Sequence, residues 1–164
     1  MRVMGIDPGL ATVGFGIVDS AGTFDFRAIE YGAVLTPAGE KTEDRLLEIY
    51  ENVDELVKTF KPEAVSIEKL FFNTNEKTAI NVAQARGVIL LAVRKNNIPI
   101  FEYTPLQIKQ ALTGYGRAEK KQIMYMVKKL LHLEKEPRPD DTADALAAAI
   151  CHIYSASSIL FGLK

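Results

Sequence analysis

Five carboxylates stand at places where simple packing gives them little reason to be. Asp7 follows the apolar-rich run Arg2 to Ile6, and Glu68 follows Ala64 to Ile67. Asp141 and Asp144 are three residues apart at the head of a third apolar run, with Asp140 beside them. An unpaired buried charge costs several kcal/mol or more, so a partner is expected, and a metal ion is one candidate. Carboxylates that meet raise one another's pKa unless a cation sits between them. All-oxygen ligands favour a hard ion such as Mg²⁺ or Mn²⁺. Two such ions ~4 Å apart activate a water and stabilise the leaving oxygen in phosphodiester cleavage. That chemistry needs no Ser, Cys or His nucleophile, and the sequence has no Ser/His/Asp grouping. With two histidines and one cysteine, a Cys/His zinc site is essentially excluded.

Each acid also has an ordinary role open to it. Asp7, before Pro8 and Gly9, suits a turn. Glu68 suits a buried Lys or Arg. Asp140, Asp141 and Asp144 suit the positive end of a helix. Singly, each ordinary role outweighs a metal site. Together they do not, because all three stretches end at the same edge of a plausible sheet.

The elements that must position these groups follow from periodicity. Strands are expected over 2–6, 13–18 and 24–35, joined closely enough for an antiparallel meander. A helix over 42–60 carries Leu46, Ile49, Tyr50, Val53, Leu56, Val57 and Phe60 at helical spacing, with Thr42 or its neighbour as cap. A fourth strand spans 64–68. Residues 69–75 read as an exposed loop with Phe71 and Phe72. Residues 76–95 form a helix apolar around much of its circumference, which calls for cover on more than one side; in so small a domain a second subunit supplies it. A fifth strand spans 98–103, short helices follow near 105–112 and 118–132, and a last helix covers about 141–157. This order gives a three-layer α/β fold, with a mixed five-stranded sheet flanked by helices and its first three strands antiparallel. Ligand sites of open α/β sheets lie off the carboxyl ends of their strands, where Asp7 and Glu68 stand. In the last helix, Asp141 and Asp144 share one face.

A chain of 164 residues suits one domain, here residues 1–164. No stretch has the ~18 uninterrupted apolar residues of a membrane span. The opening residues lack the apolar segment of a secretory signal. The lone Cys151 can form no internal disulfide, and a reducing cytoplasm is the simplest location. The net charge of −1 hides a strong asymmetry. Residues 1–68 carry 6 Lys and Arg against 13 Asp and Glu, whereas residues 69–135 carry 12 against 4. The basic middle suits either a polyanion or a set of solvated helix faces.

Read in order, GIDPG, SIEKLFF, AQARG, FEYTPLQIKQ, GYGRAEKKQ and DDTADALAAAI resemble the RuvC family of bacterial crossover junction endodeoxyribonucleases. The resemblance covers nearly the whole chain. It implies a ribonuclease H-like fold, in agreement with the strand order above. It implies a homodimer that binds four-way Holliday junctions and nicks two opposing strands symmetrically. The expected cofactor is Mg²⁺, with Mn²⁺ able to substitute, two ions per site. The family's four acidic positions fall on Asp7, Glu68, Asp141 and Asp144. Asp140 is not required by the pattern and should point roughly 100° away from Asp141; it stays as a lower-ranked ligand. Phe71 matches an aromatic thought to stack on bases, while Phe72 suits the core. Lys109 and Lys120 match lysines near the phosphates. Lys77, Arg86, Arg117 and Lys121 are further phosphate contacts by position only. The resemblance also implies 5′-phosphate and 3′-hydroxyl ends, and cooperation with the branch-migration proteins RuvA and RuvB. Alternatives from the residues alone are a nuclease of the same fold acting on another nucleic acid and a junction-binding module without catalysis. An actin-like ATP-binding protein needs two such domains, for which the chain has no room.

Overall fold

The computed structural model describes residues 1–22, 25–70 and 76–160, leaving aside the side chains of 76–78 and 158–160. Strands β1 (Arg2–Asp7), β2 (Thr12–Gly22) and β3 (Asp25–Leu35) come first, then α1 (Thr42–Phe60), β4 (Ala64–Glu68), α2 (Glu76–Lys95) and β5 (Ile100–Tyr103). Three helices follow: α3 (Pro105–Thr113), α4 (Lys120–Leu130) and α5 (Asp140–Leu160). The sheet order is β3-β2-β1-β4-β5. The pairs β1–β2 and β2–β3 are antiparallel, and β1–β4 and β4–β5 are parallel. This is the mixed sheet expected from the order of elements.

Alternation along the strands sorts residues between two cores. Met4, Ile6, Ile17, Val65 and Ile67 pack on one face with Ile49, Val53 and Val57 of α1 and Ala85, Ile89, Ala92 and Val93 of α2. Val3, Val18 and Ala64 pack on the other with α3, α4 and the apolar stretch Leu146 to Cys151 of α5. The approach of α5 to the sheet is close. A Cβ on Gly5 would run into the carbonyl of Ala145, and one on Gly14 into that of Asp141. Two buried hydroxyls fix the register of the helix. The Ser66 Oγ donates to the Ala148 carbonyl at 2.7 Å, and the Thr142 Oγ1 donates to that of Gly32 at 3.0 Å.

Several boundaries differ from expectation for identifiable reasons. β2 runs on past Val18 because Asp19 and Ser20 pair with Arg27 and Phe26 of β3. Arg2 also grips Asp19 through two hydrogen bonds of 2.7 and 2.8 Å. β5 starts at Ile100 rather than 98, since Pro99 has no N–H and offers only its carbonyl, to Val65 at 2.9 Å. The cap residue of α1 is Lys41, with Thr42 the first helical residue, and no side chain bonds the cap. α4 spans Lys120–Leu130 rather than 118–132. On α2 the residues facing α1 and the sheet are buried, while Ile80 and Leu91 are 66% and 62% exposed. Of the loop expected over 69–75, residues 71–75, with Phe72 expected in the core, lie outside the described residues.

Candidate active site

The register of the two central parallel strands builds the site. Val3 lies beside Ala64 and Ile6 beside Ile67, so Asp7 and Glu68 come next at one edge of the sheet. Alternation then fixes their side. Val3 and Ala64 belong to the α5 core, and Gly5 and Ser66 both touch α5, so Asp7 and Glu68 follow onto that face. α5 begins over the same edge. The Asp141 Cβ lies 3.0 Å from where a Gly14 Cβ would stand, and Gly14 is the β2 partner of Asp7. Asp144 is one turn further along. The missing Cβ at Gly14 is what lets the helix bring Asp141 to Asp7.

The acids share a field. Burial first, then the charges of Asp144, Glu68 and Asp141, push the Asp7 carboxyl up to about 8, against a smaller opposing effect of Lys120. Burial and Asp144 raise Glu68 as well, while Lys109 and Lys120 pull it down. Asp144 is raised by burial, countered by its hydrogen bond from Lys120. Burial works against the Lys120 charge, but Asp144 and Asp140 outweigh it and hold that ammonium above its ordinary range. The Lys120 Nζ stands 3.1 Å from Asp144 Oδ2 and 3.4 Å from Asp140 Oδ2. Among the described residues, no three His, Cys, Asp or Glu side chains close into a ready metal-binding group. Glu68 and Asp144 line one cleft together with Lys120.

The remaining candidates separate by position. Lys109 and Lys120 line a cleft of about 160 Å³ together with Glu68, Asp144, Ile108 and Ala147. Its size suits ions, water and a phosphate rather than a bulky cofactor. Asp140 turns to basic groups, with its Oδ1 2.6 Å from Arg138 Nη1, and its charge helps to raise Asp144. Lys121 lines a different groove, between α3 and α4, with Leu112, Tyr125 and Met126. Arg117 is exposed. Arg86, expected at a phosphate, instead forms an ion pair with Glu102 of β5; its side chain is only 14% exposed. Phe71 lies outside the described residues, and Lys77 is in α2, its side chain likewise outside them. Two features of the site were not read from the sequence: Gly14 as the seat for Asp141, and the hydroxyls of Ser66 and Thr142 that set α5. Small or hydroxyl residues on the α5 face of the strands were the available signal.

Comparison with known proteins places the chain in a family. The family profile described as crossover junction endodeoxyribonuclease RuvC matches residues 3–152. A crossover junction endodeoxyribonuclease RuvC of Caldicellulosiruptor saccharolyticus is 52% identical over 161 residues, covering 98% of this chain and 97% of the relative. That of Alkaliphilus metalliredigens is 55% identical over 155 residues, 94% of each. Among solved structures, T. thermophilus RuvC in complex with a Holliday junction substrate superposes with a TM-score of 0.92 at 37% identity, covering 99% of this chain and 97% of that one. The yeast mitochondrial Holliday junction resolvase Ydc2, at 13% identity and a TM-score of 0.72, shares the fold. This chain, with its paired strand-end acids and its acidic helix head, belongs to the RuvC family of crossover junction endodeoxyribonucleases.

Proposed function

We propose that Asp7, Glu68, Asp141 and Asp144 hold two divalent ions, Mg²⁺ with Mn²⁺ able to substitute. With them the chain resolves four-way DNA junctions by paired nicks on opposing strands. One observation carries the reading: Asp7 and Glu68 at two strand ends and Asp144 in the first turns of α5 are all raised, by burial first and then by neighbouring carboxylates. An oxygen-only donor set with excess negative charge is what a hard divalent ion relieves. Such ions, when bound, supply an activated water and a countercharge for the departing 3′ oxygen.

The chain's own part is positioning and charge. Asp7 and Glu68 come from rigid strands, and Asp144 is steadied by Lys120. Lys109 and Lys120 bring positive charge to the cleft, where a scissile phosphate needs it. Phe71, Arg117, Lys121 and Lys77 extend the DNA-facing surface, Phe71 by stacking on a base. Symmetric cutting needs two copies. Ile80, Gln84, Gly87 and Leu91 recur at helical spacing along the exposed side of α2, and this stripe suits a two-fold partner. The setting is the cytoplasm, alongside RuvA and RuvB. No described helix is long and apolar enough to cross a membrane.

The test is a mobile four-way junction with each strand end-labelled in turn. Paired nicks at matching positions that need Mg²⁺ or Mn²⁺ and vanish in Asp7→Asn, with junction binding retained, support the reading. Junction binding without nicks in either metal overturns it, and makes the four acids structural charges.

A further inference from the structure

We infer that His152 is a positioning residue for the carboxylate site, acting through Tyr103 to set Glu68 and Lys109 against Asp144. The inference rests on the reading of Glu68 and Asp144 as metal-holding groups.

His152 lies on α5, 4% exposed, and is one of few polar residues in the core. Its Nδ1 is 2.8 Å from the Tyr103 hydroxyl, and its ring stacks on Phe101 with centroids 4.2 Å apart. The Tyr103 hydroxyl and Nδ1 share this one hydrogen bond, and Ser155 of the same helix is a second partner of that hydroxyl. Tyr103 sits where two pieces of the site join. It is the β5 partner of Glu68, and its carbonyl accepts from the Lys69 N–H at 2.8 Å. The next residue, Thr104, caps α3 through a reciprocal bond with Gln107, and α3 carries Lys109. His152 stands on the helix that carries Asp144, about 12 Å further along its axis.

This hydrogen bond matters because β5 is weakly held otherwise. It is a four-residue edge strand with one neighbour, β4. Few ladder bonds fix so short a strand, and side chains must do the rest. On the α2 face the fixing is the Glu102–Arg86 pair. On the α5 face it is Phe101 and Tyr103 against His152. The second clamp, to which Ser155 adds a contact with Tyr103, ties β5 to the helix bearing Asp144. Loss of the Tyr103 oxygen leaves packing intact and loosens the end of β5, so that Lys109, and Glu68 beside Tyr103, are less firmly set against Asp144, although Ser66 still ties β4 to α5. Outer contacts of this kind tune metal affinity.

The variants are Tyr103→Phe, His152→Leu and His152→Asn, the last able to offer an amide oxygen near the Nδ1 position. Three readouts apply: Mn²⁺ affinity of the free protein by the electron paramagnetic resonance of unbound Mn²⁺, the Mg²⁺ concentration for half-maximal junction nicking, and junction affinity without metal. Tyr103→Phe and His152→Leu should weaken metal binding by roughly tenfold, the low end for loss of an outer partner because Tyr103 reaches Glu68 through the strand rather than by its side chain, with junction affinity unchanged. His152→Asn should recover most of the loss, and the double variant Tyr103→Phe/His152→Leu should be no worse than either single. If His152→Leu does not fold, Tyr103→Phe decides alone. A folded Tyr103→Phe with wild-type Mn²⁺ affinity and Mg²⁺ dependence overturns the inference. Glu68→Gln separates the two readings. If it nicks like wild type, the metal-site reading falls and the inference with it; if it is silent while Tyr103→Phe behaves as wild type, the inference alone falls.

Discussion

Replacing Asp7 by Asn should stabilise the metal-free protein while abolishing cleavage. The carboxyl titrates at about 8 in the fold against 3.8 ordinarily. The folded chain therefore binds more protons than the unfolded chain between about pH 4 and pH 8, and stability falls as pH rises through that window. Each pH unit is worth ~1.4 kcal/mol, so at pH 8 the burden from Asp7 is on the order of 5 kcal/mol. Asn removes it but leaves a half-buried amide to satisfy, which takes back part of the gain. A net gain of ~2–3 kcal/mol corresponds to roughly 5–10 °C in a domain of this size. The assay is thermal unfolding of both proteins in EDTA at pH 8 and pH 5. The gain should be large at pH 8 and shrink to about 1 kcal/mol or less at pH 5, where Asp7 protonates at little cost. Added Mg²⁺ should then raise the melting temperature of the wild type and leave Asp7→Asn nearly unmoved, since only binding to the folded state stabilises. An Asn variant no more stable than wild type at pH 8, or equally favoured at both pH values, refutes the argument that burial and neighbouring carboxylates hold the Asp7 carboxyl up.

Lys120→Ala should shift the alkaline-requiring limb of the pH–rate profile upward, because Lys120 lowers Asp7, Glu68 and Asp144 alike; Lys121→Ala, in the separate α3–α4 groove, should leave that limb in place. Arg86→Gln should cost ~1 kcal/mol of stability, since Glu102 is half exposed, measured by denaturant unfolding. It should leave the salt dependence of junction binding unchanged, whereas a lost phosphate contact would flatten the log–log slope by about 0.9. Asp19→Asn should weaken the protein at neutral pH. The hydrogen bond and charge of Arg2 hold Asp19 below its ordinary 3.8, so its stabilisation is present above that value and fades as pH falls through the folded one. Acid unfolding curves of the two proteins should therefore converge only at strongly acidic pH.

The acids were legible because short-range periodicity carries them. Asp7 follows Val3 and Gly5, and Glu68 follows Ala64 and Ser66, at the period of two that puts each set on one face; Asp141 and Asp144 keep the helical spacing of three. Adjacency of β1 and β4 completes the site, and the order of elements implies it. Lys120 was also within reach of such reasoning. It precedes the buried Ile123, Met124 and Val127 at helical spacing, whereas Lys121 shares its phase with the exposed Tyr125. Arg86 was harder. Its phase, beside Ala85 and Ile89, places it at the margin of the core, but its partner Glu102 comes from a strand that no local pattern ties to α2. The same holds for Gly14 and for the Tyr103–His152 bond. Both depend on how closely α5 settles on the sheet, a distance set by which residues lack a side chain on the facing strands. Local pattern thus names the groups proposed to do chemistry, while the contacts that hold them in register belong to tertiary packing. Substitutions at Gly14, Tyr103 or Arg86 are accordingly the ones whose effects a reading of the sequence alone would misjudge.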